Sequence, residues 1–285
     1  MLDNFATFII SHGRPADIPT LKNLEKCGYT GKTYIVVDDQ DKCLEEYKQY
    51  YNDSVLVFNK QYYVDNAVSF SCEPLVNVAV HARNAVEDMA KRLGLEYFLL
   101  LDDDIINFQF KFVIGNKLNR IKAFDLDNII HMYIDYMNKS NIATIGLANG
   151  GYFLGGNILT FTNPSYAKFR LLSNAFLRKV SYEVKWAPDM CEDFITSIVE
   201  NRKGNIWISL PFLSCDCKVQ GMNKKKVDGG NSNVYIEKGN YGVVIYSVLN
   251  LPDCYKLNYD KKLWFKCTSY DLTVPKIISS KYKKT

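Results

Sequence analysis

The stretch LEYFLLLDDDI, residues 95–105, runs an apolar segment straight into Asp102, Asp103 and Asp104. Three adjacent carboxylates repel one another, so such an end either faces water or belongs beside something positive. Asp102 and Asp104, one residue apart at a strand end, can both face a hard divalent cation, Mg²⁺ or Mn²⁺. A cation held that way keeps positions for water and substrate phosphate and neutralises a diphosphate leaving group. A second acidic pair, Glu192-Asp193, opens a stretch of helical spacing. One of these carboxylates could serve as a base toward a hydroxyl nucleophile. Acidic residues at a helix start also answer the helix dipole and cap its free N–H groups. Two glycine pairs, Gly150-Gly151 and Gly155-Gly156, bracket YFL, and KKKVDGGNS at 224–232 is a basic, glycine-containing segment. Glycine lets a backbone approach a ligand closely, and it serves equally in an ordinary turn.

These residues need elements to hold them. FATFIIS (5–11), KTYIVVDD (32–39) and SVLVF (54–58) are short apolar runs that predict strands. Between them, DIPTLKNLEKCG places Ile18, Leu21 and Leu24 at helical spacing with Gly28 as a stop, and DKCLEEYKQYY repeats the pattern. A longer helix is predicted from about Glu73 to Leu93, with Val76, Val80, Val86, Met89, Ala90 and Leu93 as its apolar face. The strand ending in the aspartates follows. This alternation predicts an α/β fold with a mostly parallel sheet and helices on both faces. Ligands of such sheets bind beyond the carboxyl ends of the strands. Three of those ends carry polar clusters: Ser11-His12-Gly13-Arg14, Asp38-Asp39 and the Asp triplet.

The second half is less regular. FQFKFVI (108–114), ATIGLA (143–148) and NIWISLPFL (205–213) predict strands; LDNIIHMYIDYM (126–137) and CEDFITSIVEN (191–201) predict helices. No linker or internal repeat divides the chain, so 1–285 is expected to be a single domain with halves 1–106 and 107–285.

The totals narrow the classes. A chain of 285 residues with 47% hydrophobic residues buries a substantial core. No apolar run reaches 18 residues, which argues against a membrane span. MLDNFATFII opens on an acidic rather than a basic segment and reads as a first strand, not a signal peptide. Eight scattered cysteines and three histidines lack the spacing of a zinc site, and reduced thiols in a cytoplasmic protein are expected. Net charge is only +4, but Lys224–Lys226 and the tail lysines Lys281, Lys283 and Lys284 are clustered in a way that suits a phosphate backbone or a solvated face.

Context adds to the triplet. Ala82-Arg83-Asn84 lies just upstream, and the segment from His81 to Asp104 resembles the nucleotide-sugar half of a GT-A glycosyltransferase, with its Ala-Arg-Asn helix and Asp-x-Asp motif. ISHGRP, TLKNLEKCGYTGKTYIVVDDQD, ARN, LDDD, CED and the closing VPKIISSKYKK together resemble the TET-associated glycosyltransferase family of phages and related genomes. That resemblance implies a GT-A-type fold with a smaller mixed acceptor-side region. It also implies transfer of a sugar, from a nucleotide-sugar of the UDP-sugar kind, to the hydroxyl of a hydroxymethylated pyrimidine such as 5-hydroxymethylcytosine in DNA. It assigns Asp102 and Asp104 to Mn²⁺ or Mg²⁺, and Asp193, with Glu192 as its alternative, to the base. Ser11, His12, Arg14, Asp38, Asp39, Arg83, Asp102, Asp103, Gly155 and Gly156 would hold the donor. A DNA acceptor in a duplex must be flipped out to be reached. The implied location is the cytoplasm, that of the host if phage-encoded. One departure stands out: GT-A enzymes often add a C-terminal His to the metal, and here Trp264 and Phe265 occupy a stretch with no histidine after His131. Competing expectations are a saccharide or protein acceptor, a silent nucleotide- or DNA-binding module, and a nucleotidyltransferase, for which SHGRP is a poor phosphate loop.

Overall fold

A computed structural model of the chain describes residues 3–69, 75–115, 117–149, 172–218 and 245–254. Its sheet has nine strands: β1 (Phe5–Ile10), β2 (Thr33–Asp38), β3 (Val55–Phe58), β4 (Tyr97–Asp102), β5 (Ile105–Ile114), β6 (Lys117–Lys122), β7 (Ile142–Asn149), β8 (Ala175–Lys179) and β9 (Ile206–Cys217). Their order is β3-β2-β1-β4-β8-β7-β9-β5-β6. The first four are parallel to one another, whereas β8 runs antiparallel to both of its neighbours and β5 to both of its own. A parallel half thus continues into a mixed half, the α/β arrangement that the strand–helix alternation predicted and of the GT-A type that the resemblance implied.

Strands buried on both faces are largely apolar, as β1 is but for Thr7 and β4 is up to its terminal Asp102. Tyr97, Leu99 and Leu101 enter the core shared with α1 (Pro19–Lys26), α2 (Leu44–Tyr51) and α5 (Leu126–Asn138). Phe98 and Leu100 enter the opposite core, shared with α4 (Ala79–Arg92). A short α3 (Lys60–Asp65) follows β3, and α6 (Glu192–Lys203) precedes β9. Residues 245–250 are helical and pack on the loop before α6 through Tyr246 and Met190.

The long helix begins at Ala79, later than its spacing predicted. Val76 and Leu93, expected on its buried face, are exposed, while Val80, Val86, Met89 and Ala90 are buried. The buried stripe also carries charge: Arg83 and Glu87 lie between Val80 and Ala90 at spacings of three and four. Glu87 meets Arg178 of β8 in two parallel contacts of 2.9 and 3.1 Å. Thr144 and the carbonyl of Tyr182 take two further Arg178 donors, and Trp186 Nε1 donates to Glu87. Arg83 faces the other way, into the cleft.

Candidate functional site

The carboxyl ends of β1, β2, β3 and β4 open onto one cleft of about 440 Å³. Strand order sets its axis. Asp38 and Phe58 stand at one end, Ser11, His12 and Arg14 in the middle, and Asp102–Asp104 beyond them. Ser173, Asn174 and Cys191–Phe194 close the far end. The segments that the sequence scattered over nearly two hundred positions therefore line one rim, as the strand-end rule required.

The Asp turn is built from α1. Thr20 donates its hydroxyl to the carbonyl of Asp102 (2.6 Å) and accepts the N–H of Ile105 (2.9 Å). Its own N–H reaches the carbonyl of Asp103. The Asp104 carbonyl is taken by the N–H of Lys218 (2.8 Å), just past β9. Asp103 turns toward the β1 loop, where Ser11 donates to it at 2.6 Å and Arg14 Nε stands at 3.1 Å. Burial pushes the Asp103 carboxyl up to about 6 despite those two partners. Asp102 is raised to about 7: burial dominates, Arg83 opposes it, and the charges of Asp104, Asp103 and Asp193 add to it.

Arg83 is 2% exposed. Its Nη2 is 3.3 Å from Asp102 Oδ1 and its Nε 3.2 Å from Glu192 Oε1. The guanidinium lies over the rings of Phe176 and Trp186, which fix its plane. Among the described residues its Nη1 has no hydrogen-bond partner. Glu192 is itself buried, and the neighbouring Asp193 is only partly so, with its Oδ1 accepting the N–H of Phe194 (2.8 Å). Burial, then the Glu192 charge, raises the Asp193 carboxyl above the ordinary range, with Arg83 opposing. Cys191 precedes the pair with φ of 58°, a left-handed backbone that a cysteine adopts only under constraint. Two residues before it, Asp189 is fully buried and accepts the Leu75 N–H and the Tyr246 hydroxyl.

At the opposite end, His12 Nδ1 is 2.8 Å from Asp38 Oδ2 and 3.4 Å from Asp41 Oδ2. The bond to Asp38 raises the His12 pKa; burial opposes it, and the charge of Asp41 adds to the rise. Burial works against ionisation of Asp38, but His12 and Lys60 outweigh it and its pKa is lowered. His12, Asp38 and Asp41 bring three ligand-type atoms within 4.8 Å of one another. The Asp41 carboxylate already accepts the N–H groups of Gly13 and Cys43, and Lys60 balances Asp38. That cluster is thus internally satisfied.

Of the residues expected to contact a donor, Ser11, His12, Arg14, Asp38, Arg83, Asp102 and Asp103 line the cleft, together with Asp104, Glu192 and Asp193. Asp39 does not: it is exposed and receives the N–H of Lys60 at the start of α3. Gly155, Gly156, the 224–232 segment and the C-terminal stretch lie outside the described residues. Phe58, Lys60, Asn77 and Ser173-Asn174 line the cleft without having been expected there. The rule that gathered three strand ends applies equally to β3, whose end is FNK, and would have found Lys60.

A model of the TET-associated glycosyltransferase family matches residues 5–224. The chain belongs to that family. It is therefore a glycosyltransferase, and the matched span contains every cleft residue named above. No curated protein matches the chain. Among solved structures, glucosyl-3-phosphoglycerate synthase from Mycobacterium tuberculosis in complex with Mg²⁺ and UDP is similar at 9% identity and a TM-score of 0.48. The match covers 87% of this chain and 79% of that one. Residues 1–349 of TarS from S. aureus are similar at 12% identity and a TM-score of 0.43, covering 75% and 60%. Among the described residues no helix is long and apolar enough to cross a membrane.

The acidic end suits a divalent cation on its own chemistry. Asp102, Asp103, Asp104, Glu192 and Asp193 converge there against Arg14 and Arg83, and burial disfavours the ionised forms of Asp102 and Asp103. Oxygen-only donors in negative excess are what Mg²⁺ and Mn²⁺ prefer.

Proposed function

We propose that this glycosyltransferase moves a sugar from a nucleotide diphosphate donor, a UDP-sugar, to the hydroxyl of a hydroxymethylated pyrimidine in DNA. The observation that carries the donor part is the convergence of the Asp turn and Glu192-Asp193 on one cleft, joined by Arg83. Residues 1–106 hold the donor and residues 107–285 face the acceptor.

In this reading Asp102 and Asp104 would hold Mn²⁺ or Mg²⁺, which when bound would offset the charge of a departing diphosphate. Ser11, Arg14 and Asp103 position the donor between its two ends, and Asp38 and His12 hold the base. The Arg83 guanidinium, whose Nη1 has no hydrogen-bond partner among the described residues, supplies a fixed positive charge where leaving-group charge grows. Asp193 takes the proton of the acceptor hydroxyl as that oxygen bonds to the anomeric carbon and the bond from carbon to diphosphate oxygen breaks. Its raised pKa suits a proton acceptor working near neutrality. Glu192, buried against Arg83, fixes the loop rather than taking the proton. The acceptor assignment rests on family membership, with the lysine clusters at 224–226 and 281–284 suited to a phosphate backbone.

The test is a screen of nucleotide sugars with Mn²⁺ against DNA containing hydroxymethylated pyrimidines, read by mass of the released nucleosides. A hexose or pentose increment on the modified base is expected. Sugar transfer to saccharide or protein acceptors alone would move the acceptor assignment and leave the donor assignment standing.

A further inference from the structure

The β5–β6 hairpin forms one edge of the sheet, and its charge is one-sided. Residues 105–124 contain Lys111, Lys117, Arg120 and Lys122 and no carboxylate. Among the described residues β6 pairs only with β5, which makes it an edge strand. Lys111 is buried, whereas Lys117, Arg120 and Lys122 are exposed. Alternation sends Lys117 to one side of the sheet and Arg120 and Lys122 to the other, so the edge is positive on both. Among the described residues none of these three is held in an ion pair. Apolar surface is interleaved with them: Ile121 is 46% exposed, and Phe124, just past the strand, is 63% exposed. The Phe124 ring stands edge-on to Phe110 with centroids 5.9 Å apart, which holds it at the surface. A second copy of this chain is a poor occupant, because edge pairing would bring three cations against three. The charge of this edge complements a polyanion.

We propose that Lys117, Arg120 and Lys122 on the β6 edge grip the phosphate backbone of the DNA that flanks the acceptor base, with Phe124 packed against a sugar or an unstacked base. The inference rests on the DNA-acceptor reading above and adds which surface holds the flank and how far it reaches. β5 leaves the Asp turn at Ile105; Lys122 stands opposite Gln109 and Lys117 opposite Ile114. At 3.4 Å per residue the cations lie about 14 to 30 Å along the strand from that turn. A duplex lying along the hairpin rises about 3.4 Å per base pair, so the gripped flank runs from roughly four to roughly nine base pairs beyond the acceptor. A DNA groove is walled by phosphates on two sides, which the cations on the two sides of this edge match.

Fluorescence anisotropy of the full chain tests this, with duplexes that carry one hydroxymethylated pyrimidine and are trimmed from either end. Shortening one flank from about nine to about four base pairs is expected to weaken binding about 10-fold or more, and shortening the other to change it little. The triple variant Lys117→Gln/Arg120→Gln/Lys122→Gln is expected to bind the untrimmed duplex roughly 10- to 100-fold more weakly. It is also expected to lose the dependence on that flank and to reduce the salt slope by about 2–3. All three positions are exposed, so the variant is expected to melt close to the wild type. Phe124→Ala, as a second check, is expected to weaken binding about 5-fold or more with the salt slope unchanged. A triple variant that binds the untrimmed duplex like the wild type, with the same flank dependence, overturns the assignment of this surface while the DNA-acceptor reading stands. So does a wild type that sediments as a dimer which the triple variant abolishes, since the edge then belongs to a second copy. A wild type that binds no DNA overturns both.

Discussion

Arg83 Nε stands 3.2 Å from Glu192 Oε1, and both side chains are almost fully buried. This pair joins α4, which follows the donor-side strands, to the first turn of α6, which carries the candidate base. Removing one partner of a buried pair strands the other charge, so Arg83→Met is expected to cost about 3–5 kcal/mol of stability. The double variant Arg83→Met/Glu192→Gln removes both charges and is expected to regain most of that loss. Its transfer rate is expected to stay low, because no fixed cation then faces the leaving group. Thermal unfolding and initial rates on the same preparations separate the two effects.

Asp193 predicts a split between chemistry and binding. Asp193→Asn removes the proton acceptor and is expected to lower the transfer rate by roughly 10²–10⁴-fold with nucleotide affinity unchanged. Binding of the nucleotide measured by calorimetry, beside transfer measured by mass, checks the split. An Asp193→Asn enzyme transferring at the wild-type rate would rule out this residue as the base.

Much of this arrangement was legible from residue order because β1, β2 and β4 are buried on both faces and so form largely apolar runs, broken within only by Thr7. β6 was not: KLNRIK is an exposed edge strand, and no buried face imposes a pattern on it. β8 was hidden for the opposite reason. AFLRK lies in the middle of the sheet, yet it contains Arg178, whose burial makes sense only once Glu87 arrives from α4. Within the site, carboxylates at strand ends announced themselves, whereas Lys60 read as a solvated lysine because its partners Asn77 and Asp38 lie 17 and 22 positions away. Asp39, adjacent to Asp38, looked equivalent in sequence; strand alternation sends the two side chains to different sides.

The Asp turn predicts metal dependence of a particular kind. Chelation is expected to abolish transfer and Mn²⁺ or Mg²⁺ to restore it. Asp104→Ala is expected to reduce activity by about 10²-fold or more at any metal concentration, while melting close to the wild type, since its carbonyl bond to Lys218 survives the change. UDP-sugar hydrolysis with Mn²⁺ that persists in Asp104→Ala would remove this residue from the metal set.

His12 makes the base end sensitive to pH. Asp38 and Asp41 face it as anions and Lys60 as a cation, and the balance raises its pKa. The protonated ring is the one that offers Nε2–H, so nucleotide affinity is expected to be full below that raised pKa and to fall as pH rises through it. The appropriate probe is UDP-glucose, whose diester phosphates keep their charge across this range. Asp102 and Asp103 titrate there as well, so the signal is the difference between the wild type and His12→Gln. An amide donates at every pH, and the variant's profile is expected to lack the loss of up to about tenfold that the wild type shows on the alkaline side. Parallel profiles for the two proteins would exclude His12 from base recognition.

Glu87 and Arg178 test the scaffold apart from the chemistry. Both are buried between α4 and β8, and Trp186 and Thr144 complete their bonds. Glu87→Ala leaves the Arg178 guanidinium uncompensated beneath the sheet and is expected to cost about 3–5 kcal/mol, as for Arg83→Met. Here, however, neither residue reaches the cleft. The Glu87→Ala protein, assayed well below its melting temperature, is therefore expected to keep its nucleotide affinity and most of its rate, where Arg83→Met loses the rate. Two buried charges one helical turn apart on α4 would then divide cleanly, one holding the fold and the other serving the reaction.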